Sequence, residues 1–308
     1  GLCGHRKQRG EHGGKRQGED RLHVVMAALE FNREILQWRM ARPQNPGDGA
    51  TSAPLPRDDA AASAALISPE ATAEATLPEA IPTPSALRAD DASKRALAWT
   101  HTARFVTTAS QLDQLPVSEL PEIAFVGRSN AGKSTAINTL AQQRRLAFAS
   151  RTPGRTQHIN LFALGPKDAP DAHFADLPGY GYAAVARDAK LRWQQVMAEY
   201  IEVRRSLSGI VLMIDARLGF TELDRRLLAL AVPRIANGAV RLLVLLTKAD
   251  KLSRKEADAS LRQASGLLGE VATDASDIGV VLFSALNRRG LEDVATTLYD
   301  WTHAPVVA

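Results

Sequence analysis

The chain of 308 residues is long enough for one large α/β domain or two small ones, and its 45% hydrophobic content is ordinary for a protein with a buried core. Its single cysteine, Cys3, excludes an internal disulfide and a metal–thiolate cluster, which favours a reducing, cytoplasmic location. No apolar stretch approaches the roughly 20 residues that a transmembrane helix needs, so we expect no membrane span. From Trp99 onward 25 basic residues face 21 acidic ones, and this excess is compatible with RNA contact without demonstrating it.

Residues 1–98 differ in composition from the rest of the chain. Between Pro43 and Ala92, Ala, Pro, Ser, Asp and Glu dominate and aromatic residues are missing. Such a segment buries too little apolar surface to offset the entropy of ordering, so we predict a disordered, low-complexity extension over residues 1–98 and a folded domain over 99–308. Within the extension, Leu22 to Arg42 has the pattern of one amphipathic helix. Two interpretations stay open, a regulatory arm and a dispensable or misassigned extension.

After Trp99, short aliphatic runs alternate with longer segments of helical period, which is typical of a parallel sheet with crossover helices. The predicted strands are Glu122–Val126, His158–Leu164, His173–Asp176, Gly209–Asp215, Arg241–Thr247 and Val280–Ser284. The predicted helices are Lys133–Ala141, Asp188–Ser206, Glu222–Asn237, Arg254–Leu268 and Leu291–His303. The loop between the second and third strands is too short for a crossover helix, so these two strands should pair antiparallel. The sequence therefore predicts an α/β fold with a mostly parallel, six-stranded mixed sheet, one reversed strand and helices on both faces.

A phosphate-binding loop follows the first of these strands directly. Two glycines would let successive backbone N–H groups converge on phosphate oxygens, and the start of the next helix adds a partial positive charge. The lysine would reach the β- and γ-phosphates, and the serine hydroxyl would bind Mg²⁺. The loop consists of Gly127, Arg128, Ser129, Asn130, Ala131, Gly132, Lys133 and Ser134.

A second group of residues predicts which base is bound. The Asp250 carboxylate can accept hydrogen bonds from guanine N1–H and the 2-amino group together, a donor pair that adenine lacks. The Lys248 stem would lie along the base, and backbone N–H groups after the last strand would contact guanine O6. The residues assigned to this role are Thr247, Lys248, Ala249, Asp250, Phe283, Ser284 and Ala285.

Two further loops carry the residues expected to sense the γ-phosphate. Asp176 would hold a water of Mg²⁺, and the Gly179 N–H would contact the γ-phosphate; Leu177 and Pro178 lie between them. The polar loop from Ser150 to His158 contains Thr156, the second candidate hydroxyl for Mg²⁺. From this loop we assign Gly154, Arg155, Thr156, Gln157 and His158 to the site. Lys133, Thr156 and Gly179 are the residues expected to support catalysis directly.

These strings together resemble the EngB family of bacterial P-loop GTPases, also called YihA or YsxC. The resemblance spans roughly Ala103 to Trp301 and rests on five segments. The segments are Gly-Arg-Ser-Asn-Ala-Gly-Lys-Ser, Thr-Pro-Gly-Arg-Thr-Gln, Asp-Leu-Pro-Gly-Tyr-Gly-Tyr-Ala, Thr-Lys-Ala-Asp and Phe-Ser-Ala. Residues before Ala103 have no counterpart in the family, and Ser284-Ala285-Leu286 stands where the family often shows Ser-Ser-Leu.

The resemblance implies a cytoplasmic GTPase that is needed for normal cell division and septation and acts in maturation of the large ribosomal subunit. Ribosomal RNA or a large-subunit precursor would then be the partner, and we expect a monomer. Two alternatives are a division-site scaffold and a tRNA-modification GTPase; the latter needs appended domains and a reactive cysteine. Several basic residues could form an RNA-facing surface or an ordinary solvated face, and the two interpretations stay open. They are Arg144, Arg145, Arg192, Arg204, Arg205, Arg288 and Arg289.

The position after Asp-x-x-Gly predicts slow hydrolysis. Many GTPases place a glutamine there to orient the attacking water, and this chain has Tyr180, whose phenol cannot take that geometry. We therefore expect help in trans or from a bound cation. Asn130 suggests K⁺, because related GTPases with asparagine at this position hold K⁺ beside the phosphates. Arg151 and Arg155 are alternative sources of a positive charge.

Overall fold

The computed structural model describes residues 84–147, 158–181 and 187–303, with the backbone alone described over 84–89 and 187–193. The strands are β1 (Arg104–Ala109), β2 (Glu122–Gly127), β3 (Ile159–Leu164), β4 (Ala172–Asp176), β5 (Leu207–Asp215), β6 (Arg241–Thr247) and β7 (Ile278–Leu282). The helices are α1 (Pro84–Thr100), α2 (Lys133–Leu140), α3 (Arg187–Val203), α4 (Glu222–Ala236), α5 (Arg254–Gly269) and α6 (Leu291–His303). Short 3-10 turns cover Leu112–Gln114 and Ala249–Lys251.

The strands form one sheet in the order β1-β3-β4-β2-β5-β6-β7. The pairs from β4 through β7 are parallel, and β3 is antiparallel to both β4 and β1. The mixed sheet with one reversed strand is thus confirmed, but the predicted count of six strands is wrong by one. The missed strand, β1, lies at the edge with Phe105 and Val106 exposed, so it lacks the continuous apolar run of a buried strand.

Both faces of the sheet are covered, which explains the apolar runs in the central strands. In β5, Ile210, Leu212 and Ile214 face one core, and Val211 and Met213 face the other. Helices α3, α4 and α5 cover the first face, and α1, α2 and α6 cover the second. Because the parallel strands all end at the same edge, the loops after β2, β4, β5, β6 and β7 are brought together there.

Helix α1 corrects the expected start of the folded domain. It runs from Pro84 to Thr100, and it packs along α6 with Ala96 fully buried and Trp99 6% exposed. The Trp99 Nε1 donates a hydrogen bond to Asp171 Oδ1 at 2.8 Å. The predicted domain boundary at residue 99 therefore falls inside a packed helix. The helix is rich in alanine, and its single apolar stripe is not evident from composition. Residues 1–83, including the predicted Leu22 to Arg42 helix, lie outside the described residues.

Within the described ranges, no helix combines the length and the apolar character required to cross a membrane.

Candidate nucleotide-binding site

The loop after β2 has the backbone that a phosphate cradle requires. Gly127 packs so closely on β5 that an added Cβ atom would lie 2.7 Å from the carbonyl oxygen of Met213. Gly132 takes a left-handed conformation, with φ of 99°, immediately before α2 begins at Lys133. The first N–H groups of α2 therefore point toward the loop, as an anion-binding helix start does.

Lys133 is a buried cation without a close anionic partner among the residues that the structure describes. Its side chain is 8% exposed, and its Nζ donates to the Gly127 carbonyl oxygen at the long distance of 3.5 Å. Burial lowers the pKa of Lys133, and the negative charge of Asp176 offsets part of this effect. A phosphate group bound in the loop would supply the missing countercharge.

Asp176 and Ser134 form a pair of oxygen ligands suited to Mg²⁺. The Ser134 hydroxyl donates to Asp176 Oδ2 at 3.3 Å, while Oδ1 of the same buried carboxylate has no partner within the described ranges. Burial raises the pKa of Asp176, against the influence of Lys133 and of the Ser134 hydrogen bond. Hard oxygen donors with one unsatisfied carboxylate atom fit a magnesium ion that also retains waters and phosphate ligands.

The loop after β4 lies directly on the phosphate cradle. Leu177 is fully buried in the core, and its N–H donates to the Phe125 carbonyl at 3.1 Å, so its role is to hold the loop. Gly179 packs so that an added Cβ atom would lie 3.1 Å from both Lys133 Nζ and the Ser129 amide nitrogen. A Cβ atom here would crowd Lys133 and the Ser129 backbone by a few tenths of an ångström, so close approach favours glycine at this position.

Tyr180 points away from the cradle. Its hydroxyl donates to Oδ1 of the buried Asp224 at 2.7 Å, and the residue is 9% exposed. Burial, followed by the neighbouring Asp224, raises the pKa of Tyr180 well above its ordinary value, so the phenol stays protonated. In this orientation the hydroxyl cannot align a water for attack on a γ-phosphate.

At the end of β6, two residues attach the base-binding loop to the phosphate loop. The Thr247 hydroxyl donates to the Ala131 carbonyl at 2.8 Å. Lys248, with a left-handed φ of 58°, sends its Nζ to the Asn130 carbonyl and to Asp215 Oδ2, both at 2.8 Å. The two halves of the predicted site therefore form one connected structure.

Asp215, at the end of β5, is the anchor of that connection. Burial acts to raise the pKa of Asp215, but hydrogen bonds from Arg217 and Lys248 outweigh it and hold the pKa well below its usual range. The carboxylate therefore remains charged and fixes the lysine stem along which a base would lie.

Asp250 is oriented by a hydroxyl group that sequence reasoning did not assign. The Ser284 Oγ donates to Asp250 Oδ1 at 2.6 Å, and this hydrogen bond lowers the pKa of Asp250. The Ser284 amide already donates to the Arg289 carbonyl at 3.1 Å, so it is not available for guanine O6 as predicted. Of Ser284 and Ala285, only the Ala285 amide then remains a candidate for the contact with guanine O6. The Phe283 carbonyl accepts a hydrogen bond from the Ala249 amide at 3.2 Å.

The remaining predicted residues divide into those that the structure describes and those that it does not. Gly154, Arg155, Thr156 and Gln157 lie outside the described residues, so their roles stay predictions. His158 is exposed at the start of β3, with its Nδ1 at 2.8 Å from Ser110 Oγ. Pro178 lies in the described loop after β4. In the cradle itself, Arg128 Nε is buried and has no hydrogen-bond partner in the part of the chain that the structure describes. The Ser129 amide donates to the Tyr180 carbonyl, and Asn130 is exposed.

Sequence reasoning missed Asp215 and Asp224 as parts of the site. Asp215 was placed only as the last residue of a strand, although strand ends at this edge are where ligands bind. Asp224 stands three residues after Thr221, and the two form a capping box at the start of α4. That spacing agrees with the predicted start of the helix at Glu222, but nothing in it indicates the contact with Tyr180.

A family model described as a 50S ribosome-binding GTPase matches residues 122–248. The probable GTP-binding protein EngB of Acidovorax ebreus is 60% identical over 211 residues, covering 67% of this chain and 91% of that protein. The corresponding EngB protein of Albidiferax ferrireducens is 58% identical, covering 68% and 97%. Among solved structures, a single-residue variant of Aquifex aeolicus Era bound to GDP and AlF₄⁻ is 22% identical, with a TM-score of 0.48, covering 61% of this chain and 58% of that one. Since the identity to the EngB proteins is high and extends over nearly their whole length, the chain belongs to the EngB family of bacterial P-loop GTPases.

Proposed function

We propose that this protein is a GTP-dependent switch that hydrolyses GTP slowly and acts in assembly of the large ribosomal subunit, with normal cell division and septation depending on it. The observation that carries the proposal is the convergence of a buried, uncompensated Lys133, an unsatisfied Asp176 and a prealigned Asp250 at one edge of the sheet. These are the groups that a guanine nucleotide with Mg²⁺ would complete. The single cysteine favours a cytoplasmic setting, and the proposal has the protein acting as a monomer.

Each residue has a separate role in this proposal. Lys133 and the backbone N–H groups of the cradle bind the β- and γ-phosphates and stabilise the charge that moves during transfer. The Gly179 N–H contacts the γ-phosphate, and the Asp250 carboxylate binds the guanine edge. Because the Tyr180 hydroxyl is held by Asp224, water is not oriented from this position, and the intrinsic rate is low.

Mg²⁺ would be held by Ser134 directly, by Asp176 through a bound water and by Thr156 as the second hydroxyl. When bound, it neutralises phosphate charge. The protein places the Ser134 hydroxyl 3.3 Å from Asp176 Oδ2, and Asp176 Oδ1 has no hydrogen-bond partner among the described residues.

A monovalent cation is the proposed substitute for a catalytic arginine. Asn130 has a left-handed φ of 66° and an exposed side chain at the rim of the cradle, where its amide oxygen is accessible to an ion such as K⁺. GTP turnover measured in matched Na⁺ and K⁺ buffers should be faster in K⁺, and Asn130→Ala should remove the difference. Equal turnover in the two buffers would exclude this role.

The ribosomal partner is supported by exposed arginines near the site. Arg288 and Arg289, in the loop after β7, are exposed and make no ion pair within the described part of the chain. Of the arginines predicted to contact RNA, Arg204 is not proposed for this role, because its guanidinium pairs with the buried Glu122. Two neighbouring arginines that form no ion pair with a described residue are suited to contact RNA phosphates.

The first experiment measures GDP and ADP affinities with Mg²⁺ for the full chain and for the fragment 84–308, which retains α1 entire. We expect GDP to bind and ADP to be rejected by both. Asp250→Asn should lower the preference for GDP by about two orders of magnitude, since an amide places a donor against the guanine donors. Effective ADP competition would remove the guanine assignment and with it the basis of the proposal.

The second experiment tests the ribosomal part. Co-sedimentation with large-subunit particles over a salt series should show binding in the GTP state that weakens as salt rises. The double variant R288E/R289E should reduce binding, whereas R254E/K255E, which makes the same charge change on exposed positions of α5, should not. No salt-sensitive association, or equal loss in both variants, would contradict contact through this loop.

A further inference from the structure

The end of α2 and the turn after α1 form a surface that the nucleotide site does not use. The Thr100 hydroxyl donates to the Leu140 carbonyl at 2.8 Å, and the Gln143 side-chain amide donates to the Ala103 carbonyl at 2.7 Å. The two segments therefore lie directly against each other. Because α2 has a length of about 12 Å, this surface is well separated from the phosphate cradle in which the helix begins.

Two neighbouring arginines, Arg144 and Arg145, lie in the loop that follows α2. Both side chains are exposed, and neither forms an ion pair with a described residue. The loop is closed by Asn138, whose Nδ2 donates to the Ala147 carbonyl at 2.8 Å and whose Oδ1 accepts from the Ala147 amide at 2.7 Å. The backbone that carries the arginines is thus held in place before any ligand binds, which lowers the entropy cost of binding.

The segment that carries these arginines has an unusual distribution of charge. From Ile123 to Lys167 the chain contains seven lysine and arginine residues and no aspartate or glutamate. Burial, followed by the charge of Arg288, lowers the pKa of His101 in the turn after α1, so the loop after β7 is an electrostatic neighbour of this surface. The positive charge of the arginines is therefore not neutralised by their own segment, and it is reinforced from a second loop.

The chemistry of the surface is suited to RNA phosphates. Residues 100–103 and 138–147 expose no large apolar side chain, whereas the centre of a protein–protein interface is apolar. The exposed groups are instead the two guanidinium groups, with the side-chain amide of Gln142 beside them. Such groups donate hydrogen bonds to phosphate oxygens, and these contacts make up much of the affinity of proteins for nucleic acids.

We propose that the end of α2 binds RNA phosphates through Arg144 and Arg145 and that it does so in both nucleotide states. The inference rests on the proposed function, because the RNA is taken to be that of a large-subunit precursor. None of the four hydrogen bonds that hold this surface involves a residue expected to sense the γ-phosphate. The surface therefore provides a basal affinity for RNA, to which the GTP-dependent contact adds.

The test uses the full-length protein and a short fluorescein-labelled RNA hairpin. Fluorescence anisotropy measures binding over a KCl series, with GDP and with a non-hydrolysable GTP analogue. Wild type should bind in both states, and its affinity should fall as salt rises. R144Q/R145Q should bind about tenfold more weakly in both states, and its plot of log affinity against log salt should be shallower by about 1.5, since each lost phosphate contact removes roughly 0.7–0.9 from that slope.

R254Q/K255Q is the matched control. It removes the same charge from exposed positions at the start of α5, which covers the other face of the sheet. Its RNA affinity should stay within about twofold of wild type, with an unchanged salt slope. GDP affinity should be the same in all three proteins, because the exchanged residues lie outside the nucleotide site.

Four results would overturn this contact: wild-type RNA binding by R144Q/R145Q, an equal loss in the control, binding of wild type in the GTP state alone, or effective competition by polyglutamate. An equal loss in the control would mean that net charge governs binding, and competition by polyglutamate would indicate an acidic protein partner instead. Failure of wild type to bind GDP would overturn the proposed function, while the salt series would still decide the RNA contact. GDP binding with unaltered RNA binding by R144Q/R145Q would overturn the RNA contact alone.

Discussion

Two buried pairs of tyrosine and carboxylate lie at opposite ends of the parallel sheet, and they differ in how charge is compensated. At the start of β2, Tyr200 bonds to Glu122, which also accepts from the Arg204 guanidinium at 3.1 Å (Nε) and 2.9 Å (Nη2). At the other end, Tyr180 bonds to Asp224, whose remaining partners are neutral Thr221 groups.

The surroundings of the two pairs differ in the same way. At the end of the sheet that holds the second pair, Arg128 Nε and Asp176 Oδ1 are buried without hydrogen-bond partners among the described residues. At the first end, His173 Nδ1 also has no hydrogen-bond partner among the described residues, but burial lowers the pKa of that ring, so it stays neutral. At the end with Tyr200, the buried carboxylate is thus neutralised by an arginine of the protein. At the end with Tyr180, charged groups keep unsatisfied atoms, as expected where a charged ligand binds. The following predictions test this contrast, starting with the largest effect.

Glu122→Ala should cost about 3–5 kcal/mol of unfolding free energy, because it leaves the half-buried Arg204 cation and the buried Tyr200 hydroxyl without their acceptor. Urea titration measures the loss. Glu222→Ala, which removes an exposed partner of Arg226 on α4, should cost less than about 0.5 kcal/mol. Similar losses in the two variants, or altered nucleotide selectivity in Glu122→Ala, would contradict a purely structural role for this end.

Trp99→Phe should cost about 1–2 kcal/mol, because it removes the donor to Asp171 and part of a ring that packs edge-on against Phe174. Thermal melting measures the loss, and GDP affinity should not change. Phe105→Leu is the control, since Phe105 is 56% exposed and its loss should be close to neutral. A wild-type melting temperature in Trp99→Phe would show that α1 is not part of the cooperative fold.

Asp215→Asn should cost about 1 kcal/mol at pH 7, and the cost should shrink at low pH. The pKa of Asp215 in the folded state lies below its unfolded value, so its stabilisation is complete above about pH 4 and is lost as pH falls toward the folded pKa. Urea titrations at several pH values between 7 and 3 measure this difference. Asp277→Asn, at an exposed pair with Arg241, should cost less at pH 7. A cost for Asp215→Asn that is constant over this range would contradict the assignment.

Ser284→Ala should weaken GDP binding about fivefold, because the Asp250 carboxylate loses the hydroxyl that orients it. ADP should still be rejected, since the carboxylate itself remains. Ala285→Ser, which produces the Ser-Ser-Leu string common in the family, should leave GDP affinity unchanged. Competition with a fluorescent GDP derivative measures all three proteins. Loss of discrimination against ADP in Ser284→Ala would mean that Ser284 contacts the base directly.

Most of the sheet and five helices were predictable, because strands buried on both faces give unbroken apolar runs and crossover helices give a period of 3.6. Helix α6 was predicted to the residue, as Leu291–His303. Elements at the margin were not: β1 has one exposed face, and α1 shows its apolar stripe only where α6 packs against it. The Ser284 hydroxyl was assigned no role, since its partner lies 34 residues away.

The sequence by itself determined the family and the order along the chain of the central strands and their crossover helices, because each depends on neighbours in the chain or on a fixed spacing. Only the tertiary structure decided which polar groups meet. Tyr180 and Asp224 are 44 residues apart, and Glu122 and Tyr200 are 78 apart. Contacts over such separations depend on how strands and helices pack, and local periodicity carries no information about them.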